Sequence, residues 1–279
     1  MIPKLFDTHA HVNFAAYKDD ADEVIKRALE KNVWLVNVGS QYSTSFRAVN
    51  YAGKYEQGVF AAIGLHPVQL KKGSFMHHDS EELEDSEIKT IGEDFEYGKY
   101  LELAKNPKVV AIGEVGLDYH HFDENDNIPE LIQKQKEIFL EFIKLANEVQ
   151  KPLMIHCWDG YDDLLKMLTN NPVTKRGVIH SFVGSYKTAK KFIDLGYKIG
   201  LNGVITYGIS YDKLIRETDL KDMVLETDCP YLTPAPHKGE RNDPMHVELV
   251  AQKIAELKNI SVEEVAKITT ENAKLLFGI

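Results

Sequence analysis

Short apolar runs alternate with amphipathic stretches along nearly the whole chain. KLFDTHAHVN (4–13) opens the series. VWLVNVG (33–39), VFAAIGLHP (59–67), VVAIGEVGLD (109–118), PLMIHC (152–157), GVIHSF (177–182), YKIGLNG (197–203) and MVLETDCP (223–230) continue it. Most of these eight runs are apolar throughout, the pattern of strands buried on both faces. Helical periodicity fills intervals between them: Ala21, Val24, Ile25, Ala28 and Leu29 form one stripe over 19–32, and a second helix is predicted over 44–55. Eight strand–helix units in about 250 residues predict an α/β fold of the TIM (β/α)8 barrel type, a single domain over 1–279. The alternative, a doubly wound open sheet, would collect functional residues at one switch point and not from many strand ends.

Two segments interrupt the rhythm. Residues 73–100 are longer than a strand–helix connection requires and read as a solvated, partly helical insertion, with His77 and His78 at the surface. TPAPHKGERNDP (233–244) carries too much proline and glycine for regular structure and is expected to lie as a loop over the barrel mouth. Two or three helices are predicted over 245–279, one capped by Ser261 with Glu264 completing a capping box.

Composition adds three constraints. Hydrophobic content of 43% and charged content of 27% are those of an ordinary globule; no membrane-length apolar run or leader-like start is present, so a cytoplasmic location is expected. Cys157 and Cys229 each follow a strand run and are expected as reduced thiols. The net charge of −10 is concentrated between His77 and Glu96, where nine acidic residues and one lysine contribute −8, leaving −2 elsewhere. Charge therefore does not exclude a polyanionic substrate.

The chemistry-bearing residues fall at the carboxyl ends of the runs. His9 and His11 end the first, His66 the third, Glu114 and Asp118 the fourth, His156 the fifth, His180 the sixth, and Glu226 and Asp228 the eighth. An HxH pair by itself is commonly a core or surface pair. In a barrel all these groups converge, and buried ionisable groups are costly unless paired or ligated. A metal site is the expected outcome, with Asp7 and Thr8 orienting the first two histidines from behind. Imidazole and carboxylate without thiolate suit Zn, Mn, Fe or Mg, and there are ligands enough for two divalent ions. A shared hydroxide would be the nucleophile, and the ions' charge would favour an anionic substrate.

DTHAH, GLHP, GEVGLDY, the IHC and HSF strand ends, LETDCPYL, the PAPHKGERNDP loop and the closing NAKLLFG occur in the order that resembles the TatD family of metal-dependent deoxyribonucleases, nearly end to end. The resemblance implies a barrel hydrolase of the amidohydrolase superfamily that cleaves DNA phosphodiesters, typically as a 3′ to 5′ exonuclease on single-stranded DNA or 3′ ends. It implies two divalent ions (Zn, Mn or Mg), one held by His9, His11, Glu114 and Asp228 and the other by Glu114, His156 and His180, with Glu114 as the bridge. Asp228 is then either the base for the attacking water or purely a ligand. His66 matches the GxHP histidine and is expected near the scissile phosphate. Glu226, one layer below Asp228, is expected to support a ligand histidine; Asp118 either does the same or caps a loop. Arg241 and Asn242 are candidate phosphate or sugar contacts.

Three positions depart from the family pattern. Trp158 stands where arginine is usual after the fifth-strand histidine, Asn202 where a serine hydroxyl is usual, and Lys238 where arginine is common. An indole can stack on a base or pack on a loop but cannot grip phosphate as a guanidinium does. No membrane contact or obligate protein partner is expected. The competing readings are an ester or amide hydrolase of the same superfamily, such as one acting on an aminoacyl ester of tRNA, and a metal-loaded barrel that binds without turnover.

Overall fold

Eight parallel strands wrap into a nearly closed barrel in the computed structural model, which describes residues 3–77 and 86–279. In chain order the elements are β1 (Leu5–Ala10), α1 (Ala21–Glu30), β2 (Val33–Val38), α2 (Tyr42–Gly53), β3 (Val59–Ile63), β4 (Lys72–His77), β5 (Ser86–Ile91) and α3 (Tyr97–Ala104). Then follow β6 (Val109–Asp118), α4 (Ile128–Val149), β7 (Leu153–Trp158), α5 (Tyr161–Asn170), β8 (Gly177–Ile179), α6 (Tyr186–Asp194), β9 (Lys198–Leu201), α7 (Asp212–Glu217), β10 (Met223–Leu225), α8 (Val247–Lys258) and α9 (Val262–Phe277). The sheet order is β1-β2-β3-β6-β7-β8-β9-β10, and helices lie between successive strands, the TIM-barrel arrangement.

The uniformly apolar strands follow from this geometry. One set of side chains, Leu5, Leu35, Ile63, Ile112, Ile155 and Ile199, joins the core beneath the helices. The alternate set, Phe6, Val36, Ala62, Ala111, Met154, Val178 and Val224, fills the barrel interior. Phe6 lies 6.0 Å from Phe60, 5.9 Å from Phe277 of α9 and 6.2 Å from Trp34, ring centre to ring centre. These rings occupy the amino-terminal end of the barrel, so polar side chains are gathered at the other end.

No strand ladder joins β10 to β1 among the described residues; discrete hydrogen bonds do so. The N–H of His11 donates to Cys229 O and that of Asp228 to His9 O, both at 2.8 Å, and Thr8 Oγ1 donates to Leu225 O at 3.0 Å. Fully buried Asp7 accepts from the N–H of Thr227 (2.9 Å), its hydroxyl (2.6 Å) and the N–H of His9 (3.2 Å). Closure of the barrel and placement of the two chain segments that carry His9, His11 and Asp228 are therefore one event.

The 73–100 segment differs from the expectation. β4 and β5 pair antiparallel from Lys72↔Ile91 to His77↔Ser86, and helix begins only at Tyr97. The charged run between KGSFMH and SEIKTI obscures their pairing in the sequence. His78 and the acidic residues between 79 and 85 lie outside the described residues, and His77 is described only by its place in β4. Over 245–279 two α-helices form; Ser261 caps α9 by accepting from the N–H of Glu264 at 3.1 Å, and the capping box's return bond is not among the described bonds. Cys157 and Cys229 are buried and unbridged. Among the described residues no helix is long and apolar enough to cross a membrane.

Removing the Asp7 acceptors should expose the cost of closure. Asp7→Ala strands two donors of Thr227 in the core and is expected to lower the urea-unfolding free energy by about 2–4 kcal/mol, with a smaller loss for Asp7→Asn, which keeps one acceptor oxygen. Wild-type stability in both variants would contradict this account of the seam.

Candidate metal centre

Glu114, midway along β6, lies at the middle of a ring of imidazoles. Its Oε2 faces His9 Nε2 at 3.5 Å and His11 Nε2 at 3.9 Å. Its Oε1 faces His156 Nδ1 at 3.1 Å, His66 Nε2 at 3.5 Å and His180 Nε2 at 3.7 Å. Asp228 completes the ring, its Oδ1 standing 3.2 Å from His11 Nε2 and 3.7 Å from both His9 Nε2 and His180 Nε2. Asp228 sits at φ +58°, a left-handed conformation held by the barrel-closing bond to His9.

Hydrogen-bond partners decide which ring nitrogens offer lone pairs to this space. A carbonyl oxygen only accepts, so the 2.9 Å bond from His11 Nδ1 to Val38 O puts the proton on Nδ1 and leaves Nε2 bare. The Nδ1 of His180 is 3.0 Å from Glu226 Oε1, a close but poorly aligned contact that turns Nε2 inward, 3.7 Å from both Glu114 Oε1 and Asp228 Oδ1. His156 donates from both ring nitrogens, Nε2 to Asp118 Oδ2 at 2.9 Å and Nδ1 to Glu114 Oε1 at 3.1 Å, so Nδ1 is the atom a cation beside Glu114 would meet in place of a proton. His66 is the opposite case: its Nδ1 accepts from the N–H of Val68 at 3.2 Å, so neutral His66 carries its proton on Nε2 and presents a donor.

Nε2 of fully buried His9 is only 3.2 Å from Nε2 of His11, and its Nδ1 has no partner. Two lone pairs at that separation are mutually repulsive unless a proton or a cation lies against them. The donor set thus fits a divalent cation on a specific structural ground. Ligand atoms within 4.8 Å of one another fall into three groups: His9, His11 and Glu114; His9, His180 and Asp228; and His66, Asp118 and His156. The third group is poorly suited to a cation, because His66 turns a donor toward it.

Electrostatics match the geometry. Burial, reinforced by His180, pushes His9 down to about 4. Burial also opposes charge on His156 and His180, but Asp118 and Glu114 outweigh it for the first, raised to about 9, and Glu226, Asp228 and Glu114 for the second, raised to about 10. Burial would raise Glu114, yet His66, His9, His156 and His180 hold it well below the usual carboxylate range.

Several supporting residues gave little or no signal in sequence. Gln135 of α4 clamps Asp118 in both directions, accepting from its N–H and donating to its carbonyl, each at 2.8 Å. His121 Nδ1 meets Asp118 Oδ2, the carboxylate oxygen that also faces His156, at 2.8 Å. A Cβ on Gly200 would lie 2.5 Å from Glu226 Oε2, so glycine there makes room for the carboxylate behind His180. The HH pair after GLDY was the only visible hint of His121. Asp7 and Thr8, expected to orient the rings, instead fix backbone.

A cavity of about 780 Å³ opens over the ring, lined among others by His66, Glu114, His156, His180, Asp228, Trp158 and His120. No lysine or arginine stands among the described residues that line it. Arg241 is turned away, its guanidinium paired with Asp20, bonded to Ala16 O at 2.7 Å and packed 4.4 Å from the Tyr17 ring. Asn242 is buried and donates to Thr227 O at 2.9 Å and Tyr231 O at 2.6 Å. Lys238 lies over Tyr207 at 4.3 Å, and Asn202 donates to Ser181 Oγ at 2.8 Å. Of the expected substrate contacts, the structure brings only Trp158 to the cavity.

A parallel barrel with converging histidines and carboxylates at its carboxyl end defines a metal-dependent hydrolase of the TIM-barrel class. A family model described as TatD related DNase matches residues 6–278. The chain is 39% identical over 279 residues to the uncharacterized metal-dependent hydrolase YabD of Bacillus subtilis, covering 99% of each, and 32% identical to YcfH of Escherichia coli, described in the same words, covering 99% of this chain and 96% of YcfH. The crystal structure of the TatD homolog YjjV from Escherichia coli superposes with a TM-score of 0.84 at 29% identity, covering both chains completely. This chain belongs to the TatD family.

Because Glu226 acts on His180 from behind, Glu226→Gln should weaken divalent-metal affinity about 10–100-fold by calorimetric titration while leaving the circular dichroism spectrum unchanged. Gly200→Ala, which presses on the same carboxylate, should shift affinity in the same direction. Unaltered affinity in both would remove Glu226 from the account.

Proposed function

We propose that this chain is a two-metal deoxyribonuclease that hydrolyses DNA phosphodiesters, working from 3′ ends. The observation that carries the reading is the position of Glu114, whose two oxygens face separate groups of imidazoles, which would suit a carboxylate shared by two ions. In this assignment His9, His11, Glu114 and Asp228 would hold one ion, and Glu114, His156 and His180 the other. When bound, such ions supply Lewis-acid polarisation of the phosphoryl group and ready deprotonation of water.

The remaining roles belong to the protein. Asp228, the more exposed of the two central carboxylates, takes the proton of the attacking water at a carboxylate oxygen. His66, fixed by Val68 as an Nε2–H donor, places a hydrogen bond on the phosphoryl or leaving oxygen as charge develops there. Glu226 and Asp118 stand behind His180 and His156 and aim His180 Nε2 and His156 Nδ1 at Glu114, the atoms that would meet an ion. The absence of lysine and arginine from the described cavity lining favours a second reading, an ester or amide hydrolase acting on a less anionic substrate.

End-labelled single-stranded DNA, offered with chelator or with Mg, Mn or Zn beside a panel of esters and amides, separates the two. Metal-dependent loss from the 3′ end is expected, with kcat/KM lower by about 100-fold or more in Asp228→Asn and about 100-fold in His66→Ala. Turnover of an ester without cleavage of DNA would replace the first reading by the second. Independently of substrate, saturating metal should raise the melting temperature, a stabilisation of about 2.7 kcal/mol at a hundredfold excess over Kd, and Glu114→Ala should abolish the rise.

A further inference from the structure

Trp158 and His120 form a stack at the cavity wall. Their ring centres are 4.4 Å apart and their planes 6° from parallel. β6 and β7 are responsible for this: Asp118 and Trp158 are register partners, and the N–H of Tyr119 donates to Trp158 O at 2.9 Å, so the residues after Asp118 continue alongside the indole. His120 is held by its Nδ1 contact with Asp159 Oδ2 at 3.0 Å, and Asp159 adopts φ +58° in the turn that follows β7. His121 packs edge-on to the indole at 5.0 Å and is anchored to Asp118. The imidazole side of the stack is the open one, the His120 side chain being 46% exposed.

We infer that the Trp158–His120 stack is a base-recognition platform, on which an unpaired nucleobase of the nucleotide at the cleaved bond lies against the open face of His120. This rests on the phosphodiesterase reading above and adds to it the feature of the substrate that is recognised. Trp158 and His156 are two residues apart on one strand, hence about 7 Å along it and on the same face. That separation suits a phosphate at Glu114 and the base of the same nucleotide at the stack. The described wall offers no lysine or arginine to a phosphate, whereas every base has a face that stacks.

Two measurements test this. In hydrolysis, wild-type protein should prefer an oligonucleotide with a terminal thymidine over one with an abasic terminal nucleotide by about 10-fold in kcat/KM, the order expected for one stacked base. The preference should collapse toward unity in His120→Ala and Trp158→Ala and persist in Trp158→Phe. In binding, a Trp34→Phe background leaves Trp158 as the sole indole, since the chain has two tryptophans. Thymidine monophosphate should quench its emission where deoxyribose phosphate does not, and His120→Ala should weaken the quench. Equal cleavage of both oligonucleotides, or equal quenching by both ligands, would overturn the platform. Selective quenching without any DNA hydrolysis would leave the platform standing and remove the nuclease reading instead.

Discussion

Ring nitrogens crowded together at the buried floor of a cavity are the constraint on which the rest of this molecule depends. His9 and His11 bring two ring nitrogens within 3.2 Å, and His156 and His180 add two more around Glu114. Such an arrangement requires a proton or a cation between the facing atoms. Without metal, protons serve: one N–H lies between neutral His9 and His11, and carboxylates keep His156 and His180 protonated. In the proposed two-metal state, the same carboxylates would be ligands or partners of ligands. The site is therefore electrostatically incomplete by construction, which is what a metal-dependent hydrolase requires.

The fold answers this demand by making ligand placement inseparable from barrel closure. The seam between β10 and β1 consists of bonds to the backbone of His9, His11, Asp228 and Cys229, with Asp7 beneath them. Farther around the barrel, Glu226 and Asp118 stand behind His180 and His156, and each is given its place by an otherwise plain residue: Gly200 by leaving room, Gln135 by clamping backbone. Rigid strands with packed apolar rings at their amino-terminal ends hold the polar ends in register, so the centre needs little reorganisation to bind cations.

At the mouth of the barrel the basic side chains of the loop do not line the cavity. Arg241 and Lys238, the two basic residues of the mouth loop, are spent on Asp20, Tyr17 and Tyr207. The cavity wall is instead aromatic, with the indole of Trp158 and the imidazoles of His120 and His121 beside the ligand ring. Affinity for a nucleic acid through such a wall would depend on bases more than on phosphates and would be correspondingly less sensitive to salt.

The barrel and the ring of histidines and carboxylates at its mouth were legible in the sequence because both rest on local pattern. A strand buried on two faces is apolar at every position, and each chemistry-bearing residue stands where such a run ends, so all eight strands and the converging histidines and carboxylates could be read in order. The hairpin β4–β5 could not, because charged residues separate its two halves and pairing is a non-local property. Nor could the fates of Arg241 and Asn242: a residue's type states which bonds it can make, and only the tertiary arrangement decides which partner is within reach. The same holds for the histidines. Their number and spacing announced a metal centre, but whether a ring offers a lone pair, as His11 does, or a donor, as His66 does, was decided by a single backbone group, the carbonyl of Val38 or the amide of Val68, placed there by the fold.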